Sequence, residues 1–389
     1  MDARAPRDLF ACFDQLEDPR MDRTRLHRLD DILAISLMAV IAGADGPTDI
    51  EDFARSHHDW LKSMLHLPHG IPSHDTIGRV LAALDPDAFE RCLLQWTQGL
   101  IHVTGAQALH IDGKTLRRSF DNASQSAAIH MVSVWASKAE LALTQLRTDA
   151  KSNEITAIPR LLELITLHGA VITIDAMGCQ RDIAEKIIAG GGDYLLAVKE
   201  NQPTLHEDVK LLFDEAIERN FEGMGYDCYQ HTEKGHGRIE TRKLWVTRDI
   251  DWLREQGQWE HLRSVVCVEA TRQVLDPAGS AATTSTQRRY YITSLDHRQR
   301  GRDAAYFAQL IRDHWGIENK LHWSLDVCFA EDDSRLRQGH AAENLSRLRR
   351  LALNLLKQEK STRLSLPRKR KRAAWRHDYL LTVLGVTDD

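Results

Sequence analysis

The six cysteines, at 12, 92, 179, 228, 267 and 328, form no CxxC pair. That spacing suggests neither a structural zinc site nor a disulfide framework, and it fits a reducing compartment. A membrane-length apolar run is also missing. The longest, Ile32 to Gly43, is too short to span a bilayer and reads as a buried helix. The first residues, Met-Asp-Ala-Arg-Ala-Pro-Arg-Asp, lack the apolar core of a signal peptide, so a cytoplasmic location is expected, with no membrane partner. No internal repeat is visible. Nor is there a basic excess overall. The net charge of −5 over 389 residues argues weakly against nucleic acid.

The distribution of charge reverses that argument. From Arg335 to Arg376 there are 14 Lys or Arg against two acids, Glu343 and Glu359, a local +12. Such asymmetry points to a polyanion partner for the C-terminal part. A solvated helix face followed by a basic tail explains the count equally well.

Residues 1 to about 100 read as helical, with helices expected at Leu29–Ala42, Ile50–Trp60, Thr76–Leu84 and Asp87–Gly99. Ser73 is a good N-cap for the third. Ser73, His74, Thr76 and Arg79 on its outer side would suit DNA docking, although periodicity alone favours a plain helical bundle. From 106 the pattern changes. Strands are expected at 106–112, 127–137 and 141–148, a helix at 155–167 and a strand at 170–175. A helix at 180–189 and a strand at 194–198 follow. The order β-β-β-α-β-α-β predicts a mixed α/β sheet with helices on its faces. After a helix at 203–220, strands at 226–233, 238–247, 263–273 and 287–293 read as a β-rich insertion, the last two separated by a polar loop from Asp276 to Gln287. One long helix is expected from Arg302 past Val327, and another from Ala342 to Lys360, before the basic run Arg368 to Arg372. The divisions expected are a helical N-terminal domain, 1–103, a candidate for DNA binding; a mixed α/β core, 104–335, with an insertion at about 224–295; and a basic helical region, 336–389.

Two strands end on aspartate: Leu109-His-Ile-Asp112-Gly and Val171-Ile-Thr-Ile-Asp175-Ala. A carboxylate at the tip of a buried strand is costly unless a cation accompanies it. Neighbouring strands lie about 4.8 Å apart, so Asp112 and Asp175 could share a divalent ion. Two Mg²⁺ (or Mn²⁺) ions held by carboxylates can activate water or a sugar hydroxyl and stabilise the leaving oxygen of a phosphodiester. A third acid is wanted from a helix packed on the sheet. In the segment 312–327, His314, Glu318 and His322 repeat every four residues, with Trp315, Ile317 and Leu321 as anchors. The span from 314 to 322 is about 12 Å along an α-helix, too far for one ion, so Glu318 alone is assigned to the metals. Glu331-Asp332-Asp333 reads as a solvated helix end. His314 and His322 either touch phosphate or are satisfied polar groups. Lys114, Lys199 and Arg312 are candidates for phosphate contacts near the metals. Arg238, Glu240 and Arg242 alternate on one strand face and could straddle a DNA backbone.

Ile-Asp-Gly-Lys at 111–114, Ile-Asp-Ala-Met-Gly-Cys-Gln at 174–180, Val-Lys-Glu-Asn-Gln-Pro at 198–203 and His-Trp-Gly-Ile-Glu-Asn-Lys-Leu-His-Trp-Ser-Leu-Asp-Val at 314–327 together resemble the DDE transposases of ISAs-type insertion sequences, the H-repeat-associated group among them. Gly-His-Gly-Arg-Ile-Glu-Thr-Arg at 235–242 is similar to that family's inserted segment, and the resemblance covers nearly the whole chain. It implies a ribonuclease-H-like core with a β-insertion before the last acid. It also implies Asp112, Asp175 and Glu318 as a metal-binding triad, cleavage at transposon ends, and strand transfer into target DNA by a protein that is a homodimer on DNA. The tyrosine, arginine and lysine that related transposases carry around the glutamate are replaced by Ile311, His314 and Leu325; His314 stands where the arginine would be. Arg368, Lys369, Arg370, Lys371 and Arg372 are the expected phosphate cluster of the tail. Two other readings share the fold: a DNA-binding protein that no longer moves DNA, and a metal-dependent nuclease without strand transfer.

Overall fold

The computed structural model describes residues 7–101, 108–120, 128–148, 154–235, 237–275 and 281–386. Outside them lie His236, the ends of the first two expected strands at 106–107 and 127, and the start of the polar loop at 276–280. In chain order the elements begin with helices α1 (Arg7–Phe13), α2 (Leu29–Ala42), α3 (Pro47–Ser56), α4 (His58–Lys62), α5 (His74–Ala83) and α6 (Pro86–Ile101). Then come β1 (Ala108–Thr115), β2 (His130–Ala136), β3 (Leu141–Thr148), α7 (Glu154–Leu164), β4 (Val171–Ile174), α8 (Arg181–Ala189), β5 (Asp193–Val198) and α9 (Pro203–Glu218). Next are β6 (Tyr226–Gly235), β7 (Arg238–Thr247), β8 (Ser264–Leu275), β9 (Ala281–Thr293) and α10 (Ala304–Gly316). A π-helical turn, Ile317–His322, leads into α11 (Trp323–Phe329), α12 (Ala341–Gln358), α13 (Leu366–Trp375) and α14 (His377–Leu384).

The chain divides into two compact units, neither continuous in sequence. One comprises Met1–Gly105, Gly113–Asn153 and Ile317–Asp389; the other comprises Ala106–Asp112 and Glu154–Gly316. The chain therefore passes between them directly after Asp112, and again two residues before Glu318.

In the first unit α2 is buried from Leu29 to Ile41 on nearly every side, as expected of a helix apolar all round. It packs against α3, α12 and α13. Ser73 caps α5 by accepting the Thr76 N–H at 3.3 Å, as its position predicts. His74 has an internal partner, its Nδ1 lying 2.6 Å from Glu51 Oε2. β2 and β3 pair antiparallel and are buried almost throughout. Asn354 of α12 closes both main-chain groups of Ala142 on β3, donating at 2.8 Å and accepting at 3.0 Å.

Much of the C-terminal basic charge belongs to this core. Arg347, Arg349, Arg350, Lys369 and Arg370, five of the 14 cations counted above, are buried. Arg347 Nε and Arg350 Nη2 donate to Glu90 Oε2 at 3.0 and 2.9 Å. Burial alone would push the Glu90 carboxyl up, but Arg350 and Arg347 bring it below the usual carboxylate range. α13 is thus a docked helix, not a loose basic tail.

In the second unit Ala108–Ile111 of β1 pairs in parallel with Val171–Ile174 of β4, and β4 pairs in parallel with β5. β5 then pairs antiparallel with β9, and β9, β8, β7 and β6 continue as an antiparallel meander. The result is the expected mixed α/β, ribonuclease-H-like sheet extended by a β-rich insertion. The polar loop before the last strand is shorter than expected. β9 already begins at Ala281, its polar residues pairing with β8 along an exposed ribbon. Phe307, Leu310 and Ile311 of α10 pack onto Val171, Leu195, Val246 and Val266 of the sheet. Among the described residues, no helix is long and apolar enough to cross a membrane.

Candidate functional site

The register of β1 on β4 decides the position of both aspartates. Ile111 pairs with Ile174, so Asp112 and Asp175 leave the same ends of adjacent parallel strands. Side chains at such ends open toward the loops, where ligands of open α/β sheets collect. The turn after Asp175 is built around that carboxylate. Its Oδ1 accepts from the Met177 N–H at 3.0 Å and the Gly178 N–H at 3.5 Å. Gly178 allows the closeness, since a Cβ there would stand 2.3 Å from Ile174 Cγ2 and 2.9 Å from Ile158 Cδ1.

The 198–203 motif braces this turn. Asn201 Nδ2 donates to the Ala176 carbonyl at 2.7 Å, and Gln202 Nε2 to the Cys179 carbonyl at 2.9 Å. Burial, then the charge of Glu154, push the Asp175 carboxyl above the usual range, against the two N–H groups and Lys199. Glu154 itself is buried, and Lys199 is exposed. Asp175 offers the carboxylate oxygens that a hard divalent cation takes as ligands, and such an ion would offset the effects of burial and of Glu154 on it.

Behind the strand ends runs a second arrangement. The Thr173 hydroxyl lies 2.6 Å from His110 Nδ1 and 2.8 Å from His314 Nδ1. Burial, then His314, lower the His110 pKa to about 3, so His110 is neutral at physiological pH. His314 is thereby fixed through its ring nitrogen to the strand that ends in Asp175. Trp315, expected as an anchor, is instead 45% exposed, with Arg289 stacked 4.6 Å from its ring centre. Arg312 Nη2 reaches both oxygens of Glu233 at 3.1 Å. Arg242 pairs with Glu233 at 2.5 Å and also with Glu240, and Arg238 pairs with Glu240 at 2.7 Å. These three arginines, Arg312 from α10 and two from the insertion, meet carboxylates of the insertion.

In the first unit the expected single helix is interrupted. Residues 317–322 form the π turn, which adds about one residue per turn and so alters the four-residue face of His314, Glu318 and His322. Ile317 and Leu321 do anchor the segment, together with Leu325 and Phe329, in the helical core. Glu318 faces outward while His322 is buried, its Nδ1 3.5 Å from Glu318 Oε2. Both could serve as metal donors.

Three expectations change here. Lys114 does not await a phosphate: its Nζ donates to Glu331 Oε2 at 2.6 Å and pairs with Asp326. Glu331 is no solvated helix end but is 2% exposed, accepting also from Ser346 Oγ at 2.8 Å. Within the tail, Lys369 donates to the Leu356 carbonyl at 2.8 Å and Arg370 to the Val40 carbonyl at 2.9 Å. Arg368 and Lys371 stay exposed, and Arg372 is half-buried over the Tyr379 ring.

A mixed sheet of ribonuclease-H-like class, with two acids at the ends of adjacent parallel strands, is a frame for metal-assisted phosphodiester chemistry. The chain matches the family model "Transposase DDE domain" over residues 103–355 and its "DDE_Tnp_1-associated" model over 10–97. It is 41% identical to "H repeat-associated putative transposase YhhI" of Escherichia coli strain K12, over 92% of this chain and 93% of that protein. It is 42% identical to "Putative transposase YncI" of Escherichia coli O157:H7, over 95% and 92%. Among solved structures, a chain of a piggyBac transposase synaptic complex with hairpin DNA aligns at TM-score 0.39 and 10% identity, over 97% of this chain and 79% of that one, a distant likeness only. The chain belongs to the DDE transposase family, in its H-repeat group. Membership makes it an insertion-sequence transposase, and the DDE domain implies use of a divalent metal.

The residues missed in the sequence are His110, Thr173, Glu154, Asn201 and Gln202. The last two lay in a quoted motif, but only the structure shows which carbonyls they hold.

Proposed function

We propose that this protein binds the terminal repeats of its insertion sequence as a homodimer, cleaves the DNA there, and joins the 3′ ends to target DNA. The abreast position of Asp112 and Asp175 is the observation that carries this reading. With Glu318 they would hold the divalent ions, Mg²⁺ or Mn²⁺, two in the expected arrangement. When bound, the metal activates the attacking oxygen and neutralises charge at the leaving oxygen. The protein's own part is placement. The Met177 and Gly178 N–H groups and the Asn201–Gln202 brace hold the Asp175 carboxylate still. Lys199, exposed beside it, takes a phosphate oxygen. His314, oriented through Thr173, serves as a further DNA contact in place of the family arginine.

Outside the centre, Arg368, Lys371 and Arg372 bind the backbone without regard to sequence. Arg238, Arg242 and Arg312 exchange their carboxylates for phosphates when DNA arrives. The helical region 1–103 reads the end sequence, 104–335 is the catalytic core, and 336–389 supports both. The protein works in the bacterial cytoplasm, at the nucleoid.

Purified protein incubated with labelled terminal-repeat DNA and Mg²⁺ tests this. Joined products are expected. Nicked DNA without joining would make the protein a nuclease, and bound but intact DNA would make it a binding protein.

A further inference from the structure

Beneath the turn that carries Glu318, one lysine is committed to a main-chain oxygen. Lys357, at the end of α12, donates from Nζ to the Lys320 carbonyl at 2.9 Å. Its ammonium also lies 4.4 Å from the centre of the Trp135 ring. The Ser324 hydroxyl donates to the same carbonyl at 2.9 Å. A π turn within a helix is strained relative to the α form and recurs at functional sites, so something outside it has to hold it. The base from which Lys357 reaches is firm. Asn354 fixes α12 to Ala142 of β3, and Gln358 Nε2 donates to the Ala139 carbonyl at 3.0 Å.

The choice of a lysine here is informative. A half-buried ammonium is costly without a carboxylate of its own. The acid facing it, Glu140, is engaged by Lys320 Nζ at 2.9 Å. Lys320 and Lys360 add like charge, and the Cys328 thiol is the remaining titratable neighbour. Burial dominates and brings the Lys357 amine down to about 8. A methionine would fill the same space without that cost. What it would lack is the donor to the carbonyl two residues beyond Glu318.

We infer that Lys357 is a positioning residue for Glu318, holding the turn 317–322 in the form that sets the direction of the Glu318 carboxylate. The inference rests on Glu318 being a functional acid of the transposase.

The test compares full-length wild type, Lys357→Met and Lys357→Arg by melting, by amide exchange in 317–325, and by DNA cleavage across a Mg²⁺ titration. Lys357→Met keeps the stem and removes the unpaired cation, so its melting temperature should stay at or above that of wild type at pH 7. Exchange in 317–325 should quicken about tenfold, as for loss of one charge-assisted hydrogen bond. The Mg²⁺ concentration for half-maximal cleavage should rise by a similar factor, and Lys357→Arg should restore both. Unchanged exchange in Lys357→Met would overturn the inference. So would a large fall in melting temperature with faster exchange all along α12, since the role would then be packing. If Glu318→Gln cleaves normally, the function assigned above fails, while the exchange result still reports on the turn.

Discussion

Glu331→Gln is the sharpest perturbation of the buried charge network. It removes one charge from a cluster in which the Glu331 side chain is 1% exposed and that of Lys114 is 10% exposed. Burial would raise the Glu331 carboxyl, but Lys114, Arg349 and the Lys114 and Ser346 hydrogen bonds bring it below its ordinary value. A carboxyl depressed in the folded state contributes stability that is present above its unfolded pKa and is lost as pH falls through the folded one. The network should therefore be intact at pH 7 and weaken in acid. Removing one partner of a buried pair costs about 3–5 kcal/mol. Asp326 remains on Lys114, and glutamine can still accept from Ser346, so the lower end, about 3 kcal/mol, is expected. For a unit of 150–250 residues that corresponds to a fall in melting temperature of about 6–12 °C. Calorimetry at pH 7 should also be run on Lys114→Met and on the double variant. The double should be less destabilised than the sum of the singles, because the two groups are coupled. A Glu331→Gln protein melting within about 1 °C of wild type, or a strictly additive double, would refute the account of this cluster.

Replacing Arg368, Lys371 and Arg372 by Gln should weaken binding to any DNA alike and lower the slope of log affinity against log salt by up to about 2.7; a gel-shift salt series checks this, and loss of end-specific binding alone would contradict it. Asn201→Ala should loosen the turn after Asp175, slowing cleavage while DNA affinity in the same gel-shift stays unchanged. Arg350→Met leaves Glu90 with a weaker set of partners and should lower the melting temperature, with the circular-dichroism melt as the readout.

The legible parts of this chain were those whose physics is local. An apolar run closed by Asp and a small residue marks a strand end wherever it occurs, and Asp112 and Asp175 could be read that way before their strands were known to pair. The helices and the meander followed from periodicity and from glycine and proline stops. Charge was not legible in the same way. Arg347, Arg349 and Arg350 look like a basic surface in sequence, yet Glu90, the partner of Arg347 and Arg350, and the Asp45 carbonyl, the partner of Arg349, lie hundreds of residues away. Glu331 looked solvated because its neighbours Asp332 and Asp333 are acidic, while the groups that offset its burial, Lys114, Ser346 and Arg349, lie elsewhere in the chain. The π turn was equally hidden, since one residue too many in a helix alters no composition.

The central proposal is that metal-dependent cleavage needs each of Asp112, Asp175 and Glu318. Cleavage of labelled terminal-repeat DNA in Mg²⁺ by Asp112→Asn, Asp175→Asn and Glu318→Gln, with DNA binding measured in parallel, tests it most directly. Each variant is expected to lose cleavage entirely while binding the DNA within about threefold of wild type, because affinity comes chiefly from phosphate contacts elsewhere. Near-normal cleavage by Glu318→Gln, with Asp326→Asn inactive instead, would contradict the claim.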